Sequence, residues 1–246
     1  MSVDLEIQLN KAHQELAALK AEYDEFVYII SHDLSAPLRQ VEGFAEIIVA
    51  KHADSFDDKT KRHFELIQGG SNQAKLILEA MRSYSRLNTM AQPFTLFDLN
   101  KLVHDVKCKL STLFNDAGAT IVISHLPTIV GEEKQISQVF ECLLHNALSY
   151  RSPERECQIS IDVEDQKHYW QFYVTDNGIG IAENIQEKIF KVLRRGVSDK
   201  KSLGIGMGLA IVKKVLRHHQ GRIWLKSEKD RGSSFYFTIP KDLANE

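Results

Sequence analysis

The chain has 246 residues, 43% of them hydrophobic and 26% charged, with a formal net charge of −2. That size fits one or two soluble globular domains, and the near-neutral charge argues against a dedicated nucleic-acid binder. No apolar run is long enough to span a bilayer, no signal-peptide pattern opens the chain, and the three cysteines (Cys108, Cys142, Cys157) form neither a metal motif nor a disulfide framework, so a reducing cytoplasm is expected.

The first element is a long helix. Apolar residues recur at Leu5, Leu9, Ala12, Leu16, Leu19, Tyr23, Phe26 and Ile30, in alternating steps of four and three. This is a heptad seam. An exposed amphipathic helix on a globular core is one reading, and a dimerising coiled coil is the other. The coiled coil accounts for more, because this segment has little else to pack against. The pattern continues past Pro37 with Leu38, Val41, Phe44, Ala45 and Ile48. Lys51 to Asp58 is polar and predicts a turn. A second helical pattern then carries Phe64, Ile67, Ala74, Ile77, Leu78, Met81, Tyr84 and Leu87. Gly69 and Gly70 weaken it, by roughly 1 kcal/mol each relative to alanine. Two long helices joined by a short turn predict an antiparallel hairpin, and two hairpins a dimeric four-helix bundle.

Within the first helix lies SHDLSAPLRQ, residues 31–40. Pro37 has no N–H, so the carbonyl of Asp33 loses its helical donor and the helix loosens there. His32 stands two positions past the seam residue Ile30. At 100° per residue it points to solvent. A lone exposed histidine is ordinarily a surface residue. His32 gains interest only from the segments downstream.

PFTLFDLN, residues 93–100, breaks the helical pattern and leads into a first strand. The chain is therefore divided into 1–92 and 93–246. Beyond the boundary, helices are predicted over 99–114, 132–150 and 209–218. Strands are predicted over 119–126, 158–163, 169–175, 222–227 and 233–239. Mixed strands and helices in this order predict a two-layer α/β sandwich.

Three stretches of this second half carry chemistry. DNGIGI runs from Asp176 to Ile181 directly after a predicted strand. A carboxylate there can accept a hydrogen bond from an exocyclic amine, and glycines let a flat ring approach the backbone. A tight Asn-Gly turn is the plain alternative. GIGMGLAIVKK, Gly204 to Lys214, runs alternate glycines into a helix start, where free N–H groups favour an anion. It matches neither a Walker A loop nor a dinucleotide fingerprint. The basic loop RRGVSDKKS before it is either a lid over phosphates or an ordinary solvated loop. ECLLHNALSYR, Glu141 to Arg151, sets Asn146 in a mostly apolar helix, where an amide needs a partner.

In this order and spacing the segments resemble the two-component sensor histidine kinases, with the closing GRIWLKSEKDRGSSFYFTIP nearest the phytochrome type. SHDLSAPLRQ looks like the phospho-acceptor box and LLHNALSYR like the asparagine box. DNGIGI and GIGMGLAIV look like the two glycine boxes, and IFKVLRRG like the segment that opens the ATP lid. The resemblance implies a helical dimerisation and histidine-phosphotransfer hairpin followed by an ATP-binding α/β sandwich. It implies that His32 attacks the γ-phosphate of ATP while Asp33 orients the ring. Asp176 would read the adenine amine, and Asn146 would help hold Mg²⁺. Tyr150, Arg151, Gly178, Gly180, Arg195, Gly204, Gly206, Gly208 and Leu209 would complete the nucleotide site. The implied partners are a second copy of the chain, the receiver domain of a response regulator on a separate chain, and an unidentified sensory domain or upstream protein.

Some positions depart from the family pattern. Cys142 stands where a second asparagine is usual, Ser149 where lysine is common, and Leu193 where an aromatic is common. Gln220 replaces the first of two glycines. These departures imply weaker Mg·ATP binding or slower turnover than is usual in the family. Ala36 stands where a Thr or Asn positions the water that dephosphorylates the partner, which implies a poor phosphatase. A phosphotransfer or docking hub with a degenerate ATP domain is the alternative function. An ATPase of the wider superfamily would lack the histidine-bearing hairpin, and a structural coiled coil would leave the glycine boxes unexplained.

Overall fold

The structure is a computed structural model that describes residues 2–87, 93–192 and 205–242. The chain divides into two compact units, Met1–Met90 and Ala91–Glu246.

The first unit is a helical hairpin. Helix α1 spans Ser2–His52, a 3-10 turn covers Ala53–Ser55, and α2 spans Asp58–Arg86. Asp57 caps α2 by accepting from the Thr60 N–H at 2.7 Å, which satisfies one of the helix's orphan donors. The helices pack through Val27, Ala45 and Leu78, all buried. Hydroxyls pin the register: Ser85 Oγ donates to the Asp24 carbonyl at 2.5 Å and Ser71 Oγ to that of Leu38 at 3.3 Å. Because the end of α2 reaches only Asp24, the first two dozen or so residues of α1 project past it. The predicted seam is not the face that meets α2. Leu16, Leu19, Tyr23 and Phe26 remain 59–65% exposed. Gly69 and Gly70 have open space where a Cβ would stand, so nothing in the hairpin requires glycine there.

The second unit is the predicted two-layer sandwich, with more elements than the sequence pattern resolves. Its order is β1 (Thr95–Asp98), α3 (Leu99–Lys109), α4 (Ser111–Ala117), β2 (Thr120–Ile123), β3 (Thr128–Gly131) and α5 (Glu133–Ser149). Then follow β4 (Gln158–Asp165), β5 (Tyr169–Asp176), the short α6 (Glu183–Gln186), α7 (Gly208–His218), β6 (Ile223–Glu228) and β7 (Gly232–Pro240). The single helix expected over 99–114 is two, broken at Leu110. β1 and β3 pair antiparallel in a small separate sheet. The main sheet runs β2-β4-β5-β7-β6, with β2 and β4 parallel and the other neighbours antiparallel.

The core lies between this sheet and α3, α5 and α7. Phe172 and Phe237, neighbours across β5 and β7, stack at 4.9 Å, and Phe140 of α5 meets both edge-on. All three rings are fully buried. Burying each ring contributes on the order of 2–3 kcal/mol.

Helix α7 ends in a Schellman motif, with the Gly221 N–H donating to Leu216 O at 2.7 Å and the Gln220 N–H to Arg217 O at 3.1 Å. Gln220 takes the left-handed conformation this requires, at φ +54°. That conformation costs a side-chain-bearing residue about 1 kcal/mol, and glycine nothing comparable. Gln220→Gly is therefore expected to stabilise the domain by about 0.5–1 kcal/mol in urea unfolding.

Candidate active site

His32 is exposed on α1, and its Nδ1 lies 3.0 Å from Asp33 Oδ1. With the Nδ1 proton donated to that carboxylate, the Nε2 lone pair faces solvent, the arrangement of an oriented nucleophile. The backbone around it is weakened as the sequence predicts. Pro37 sits inside α1 and leaves the Asp33 carbonyl without its helical donor. Ser31 and Ser35 turn their hydroxyls onto the carbonyls one turn back, each at 2.6 Å. Such back-bonding competes with the helical ladder and favours bending.

The second cluster of predicted residues lies in the sandwich. Helix α5 carries half-buried Asn146, whose side chain makes no hydrogen bond among the described residues. A half-buried amide with unused oxygen and N–H groups is suited to an external partner. Arg151 Nη1 donates to Leu148 O at 2.9 Å and closes the end of the helix. The Tyr150 carbonyl accepts the Ile179 N–H at 3.0 Å, joining α5 to the loop after β5.

Asp176 ends β5. Its Oδ1 accepts the Gly178 N–H at 2.9 Å. Burial pushes its carboxyl up to about 6, with backbone N–H groups of Gly178 and Ser233 pulling part-way back. A partly desolvated carboxylate keeps lone pairs beyond those its backbone N–H donors take, and is a strong acceptor for an amine. The glycines here are required. A Cβ on Gly178 would lie 2.4 Å from the Tyr150 carbonyl, and one on Gly180, at φ +66°, 2.0 Å from that of Glu228.

The loop is held from below by residues that sequence reasoning missed. Arg155 Nη2 donates to Gly178 O at 3.0 Å and to Asp230 O at 2.5 Å. Ser227 Oγ accepts the Ile181 N–H at 2.8 Å, and Gln186 Nε2 donates to the carbonyls of Ile181 and Ser227, each at 2.9 Å. These contacts cross from the loop to the β6–β7 turn, so no spacing rule reveals them. A basic residue two after a proline was the only available signal.

Gly206, at φ +74°, and Gly208 lead into α7, with Leu209 half-buried in its first turn. A Cβ on Gly208 would make an ordinary 3.7 Å contact with Cys142 Sγ. Cys142 therefore packs toward the start of α7. Burial pushes its thiol up to about 12, so it stays protonated. Arg195 and Gly204, with Leu193 and the basic loop, lie outside the described residues.

Comparison with known proteins bears on these two clusters. Residues 131–243 match the family model "Histidine kinase-, DNA gyrase B-, and HSP90-like ATPase". Cyanobacterial phytochrome A of Nostoc sp. is 34% identical over 95% of this chain. Methanogenesis regulatory histidine kinase FilI of Methanothrix harundinacea is 28% identical over 95% of this chain, so the chain is similar to histidine kinases along nearly its whole length. It spans 30% of the length of that phytochrome. A full-length ShkA structure in complex with AMPPNP shares the fold of this chain, with a TM-score of 0.66 at 22% identity, covering 90% of this chain and 47% of that one. Histidine kinase ThkA in complex with response regulator protein TrrA also shares the fold, with a TM-score of 0.62 at 20% identity, covering 93% of this chain and 66% of that one. Among the described residues, no helix is long and apolar enough to cross a membrane.

Proposed function

We propose that the chain is an ATP-dependent protein-histidine kinase that phosphorylates its own His32 and passes the phosphoryl group to an aspartate of a response regulator. The observation that carries the reading is the His32–Asp33 contact on a proline-weakened turn of a chain that also holds a kinase-type ATPase domain. His32 Nε2 attacks the γ-phosphorus of ATP and the bond to the β,γ-bridging oxygen breaks, releasing ADP. Asp33 holds the Nδ1 proton in a hydrogen bond, stabilises the positive charge that develops on the ring, and accepts that proton as the phosphoimidazole forms. Asp176 accepts the adenine amine through a remaining carboxylate lone pair, over the glycine backbone of Gly178 and Gly180. Asn146 offers a hard oxygen of the kind Mg²⁺ takes beside phosphates and water, and the ion, when bound, neutralises phosphate charge. Tyr150 and Arg151 fix the wall of the site at the end of α5. Gly206, Gly208 and Leu209 present backbone N–H groups near the phosphates, with Arg195 and Gly204 assigned to the lid.

Incubation with γ-labelled ATP and Mg²⁺ is expected to leave acid-labile label on the protein, which an added receiver domain then takes up. ATP binding without label would point to a missing activator or a disfavoured kinase conformation. Absence of both would contradict the kinase reading and favour the alternative function, a phosphotransfer hub with a degenerate ATP domain. Exposed Ala36 offers no hydrogen-bonding side chain to a water. The protein is therefore expected not to speed loss of label from the phosphorylated receiver domain, measured with and without added kinase.

The working form is a homodimer in a reducing cytoplasm, with a sensory domain or upstream protein acting through α1. Supporting this are the exposed seam of Leu16, Leu19, Tyr23 and Phe26 and the exposed Val41 and Phe44 further along α1. The three free cysteines fit the compartment. Leu19→Glu is expected to raise the dimer dissociation constant tenfold or more in analytical ultracentrifugation, because it sets like charges into an apolar seam.

A further inference from the structure

His219 is a fully buried titratable group that the proposed chemistry does not use. It stands at the junction of three elements. Its Nδ1 donates to Val215 O at 2.9 Å, and its Nε2 accepts the Glu132 N–H at 3.0 Å. Glu132 is the N-cap residue of α5. Its N–H is a buried donor, and His219 supplies the acceptor. Burial holds the ring down to about 4, so it stays neutral and Nε2 keeps the lone pair this bond needs.

The seat is built to fit. A Cβ on Gly131 would fall 3.1 Å from His219 Cδ2, a tight contact, so glycine lets the ring lie close against the end of β3. A face of the ring is covered by Phe94, stacked at 4.8 Å and 6° between planes, with His218 edge-on to Phe94 at 5.4 Å. Phe94 immediately precedes β1, whose Thr95 pairs with Gly131. The chain thus enters the sandwich at this ring.

The two helices above the ring meet at two places. His219 joins the start of α5 to the end of α7. Midway along α5, Cys142 lies against Gly208 at the start of α7. Both helices are rigid over about 15–25 Å, so a shift at one end is carried to the other.

We propose that Phe94 and His219 form a joint that ties the interdomain linker to the α5–α7 pair, with His219 a positioning residue for the nucleotide site. This rests on the kinase reading above, since the site it positions is the one assigned there. The stacked aromatic fixes where the linker leaves the domain. The shared imidazole passes that position to the helices bearing Asn146 and Gly208. Displacing Phe94 opens the ring's covered face to water and weakens the Glu132 bond. None of the residues proposed to touch the nucleotide is itself replaced.

The test compares the full chain with Phe94→Ala and with Phe94→Tyr, which keeps the stacking plane. Amide hydrogen exchange at Glu132 and the first turn of α5 is expected to rise tenfold or more in Phe94→Ala and to return toward wild type in Phe94→Tyr. ATP-analogue affinity is expected to stay within twofold, while the maximal autophosphorylation rate of Phe94→Ala falls at least fivefold. Unchanged exchange at Glu132 would overturn the joint whatever the labelling shows. An equal loss of nucleotide affinity would also overturn it, by making Phe94 a general structural residue. A wild-type chain that takes no label would instead overturn the kinase reading and leave the exchange comparison as the deciding result for the joint.

Discussion

Asp176→Asn is expected to make the domain more stable and to remove most of its adenine-nucleotide binding. The binding loss follows from hydrogen-bond direction. The Gly178 N–H holds Oδ1, so the variant keeps its oxygen there and turns its NH₂ toward the amine that the carboxylate would accept. A charge-assisted acceptor is replaced by a donor facing a donor. The expected cost is about 3 kcal/mol, or roughly a hundredfold in dissociation constant.

The stability gain follows from burial, which raises the carboxyl from its ordinary 3.8 to about 6. A raised folded-state value means that the protonated form is favoured in the folded protein. That contribution is fully present below pH 3.8 and is lost as pH rises through about 6. The asparagine variant has no such loss. The gap between variant and wild type should open from about pH 4 to 6 and level off above, at on the order of 2 kcal/mol. Urea melts at pH 4, 6 and 8 check the stability, and calorimetric titration with an ATP analogue checks the binding. Wild-type affinity should itself weaken below about pH 6 as the carboxyl gains its proton. A variant that is less stable at pH 8, or that binds nucleotide normally, would remove Asp176 from its assigned role.

Gly180→Ala is the second large effect. The residue has φ +66°, where a Cβ costs about 1 kcal/mol by itself. The added carbon would also lie 2.0 Å from the Glu228 carbonyl, which belongs to the backbone of β6 and cannot rotate away. The loop cannot retreat freely either, because Asp230 donates to the Ile179 carbonyl at 2.8 Å and Arg155 grips Gly178. More than about 4 kcal/mol is expected, or on the order of 10 °C in melting temperature, with nucleotide binding lost as the loop shifts. Gly208→Ala is the control. Its Cβ would meet Cys142 Sγ at an ordinary 3.7 Å, so the melting temperature should hold within a degree or two. Equal effects of the two substitutions would contradict this account of the loop.

Much of this architecture was legible in the sequence, and the exceptions have physical causes. The long elements carry clear periods, so α1, α5, α7 and the β4–β5 hairpin fall where the pattern predicts. β3 is four residues long and abuts α5, too short for alternation to register. The break at Leu110 carries neither glycine nor proline, and only the packing of α3 and α4 reveals it. In the site, Asp176, Gly178 and Gly180 were legible because a strand end beside glycines has few other uses. The clamp by Arg155 and the His219 junction were not, because each joins residues far apart in the chain. Cys142 was legible as a departure, but its contact with Gly208 depends on how α5 and α7 pack. The heptad seam was legible as a pattern, while the structure adds that α2 packs on a different face of α1.

The most direct test of the central claim is to map the phosphate after incubation with γ-labelled ATP and Mg²⁺, comparing wild type with His32→Ala. His32 is exposed on a helix, so the substitution should leave folding and nucleotide affinity unchanged. The account predicts one acid-labile phosphate on His32 in wild type and none in the variant. Equal labelling of both proteins, or label that survives acid, would contradict it.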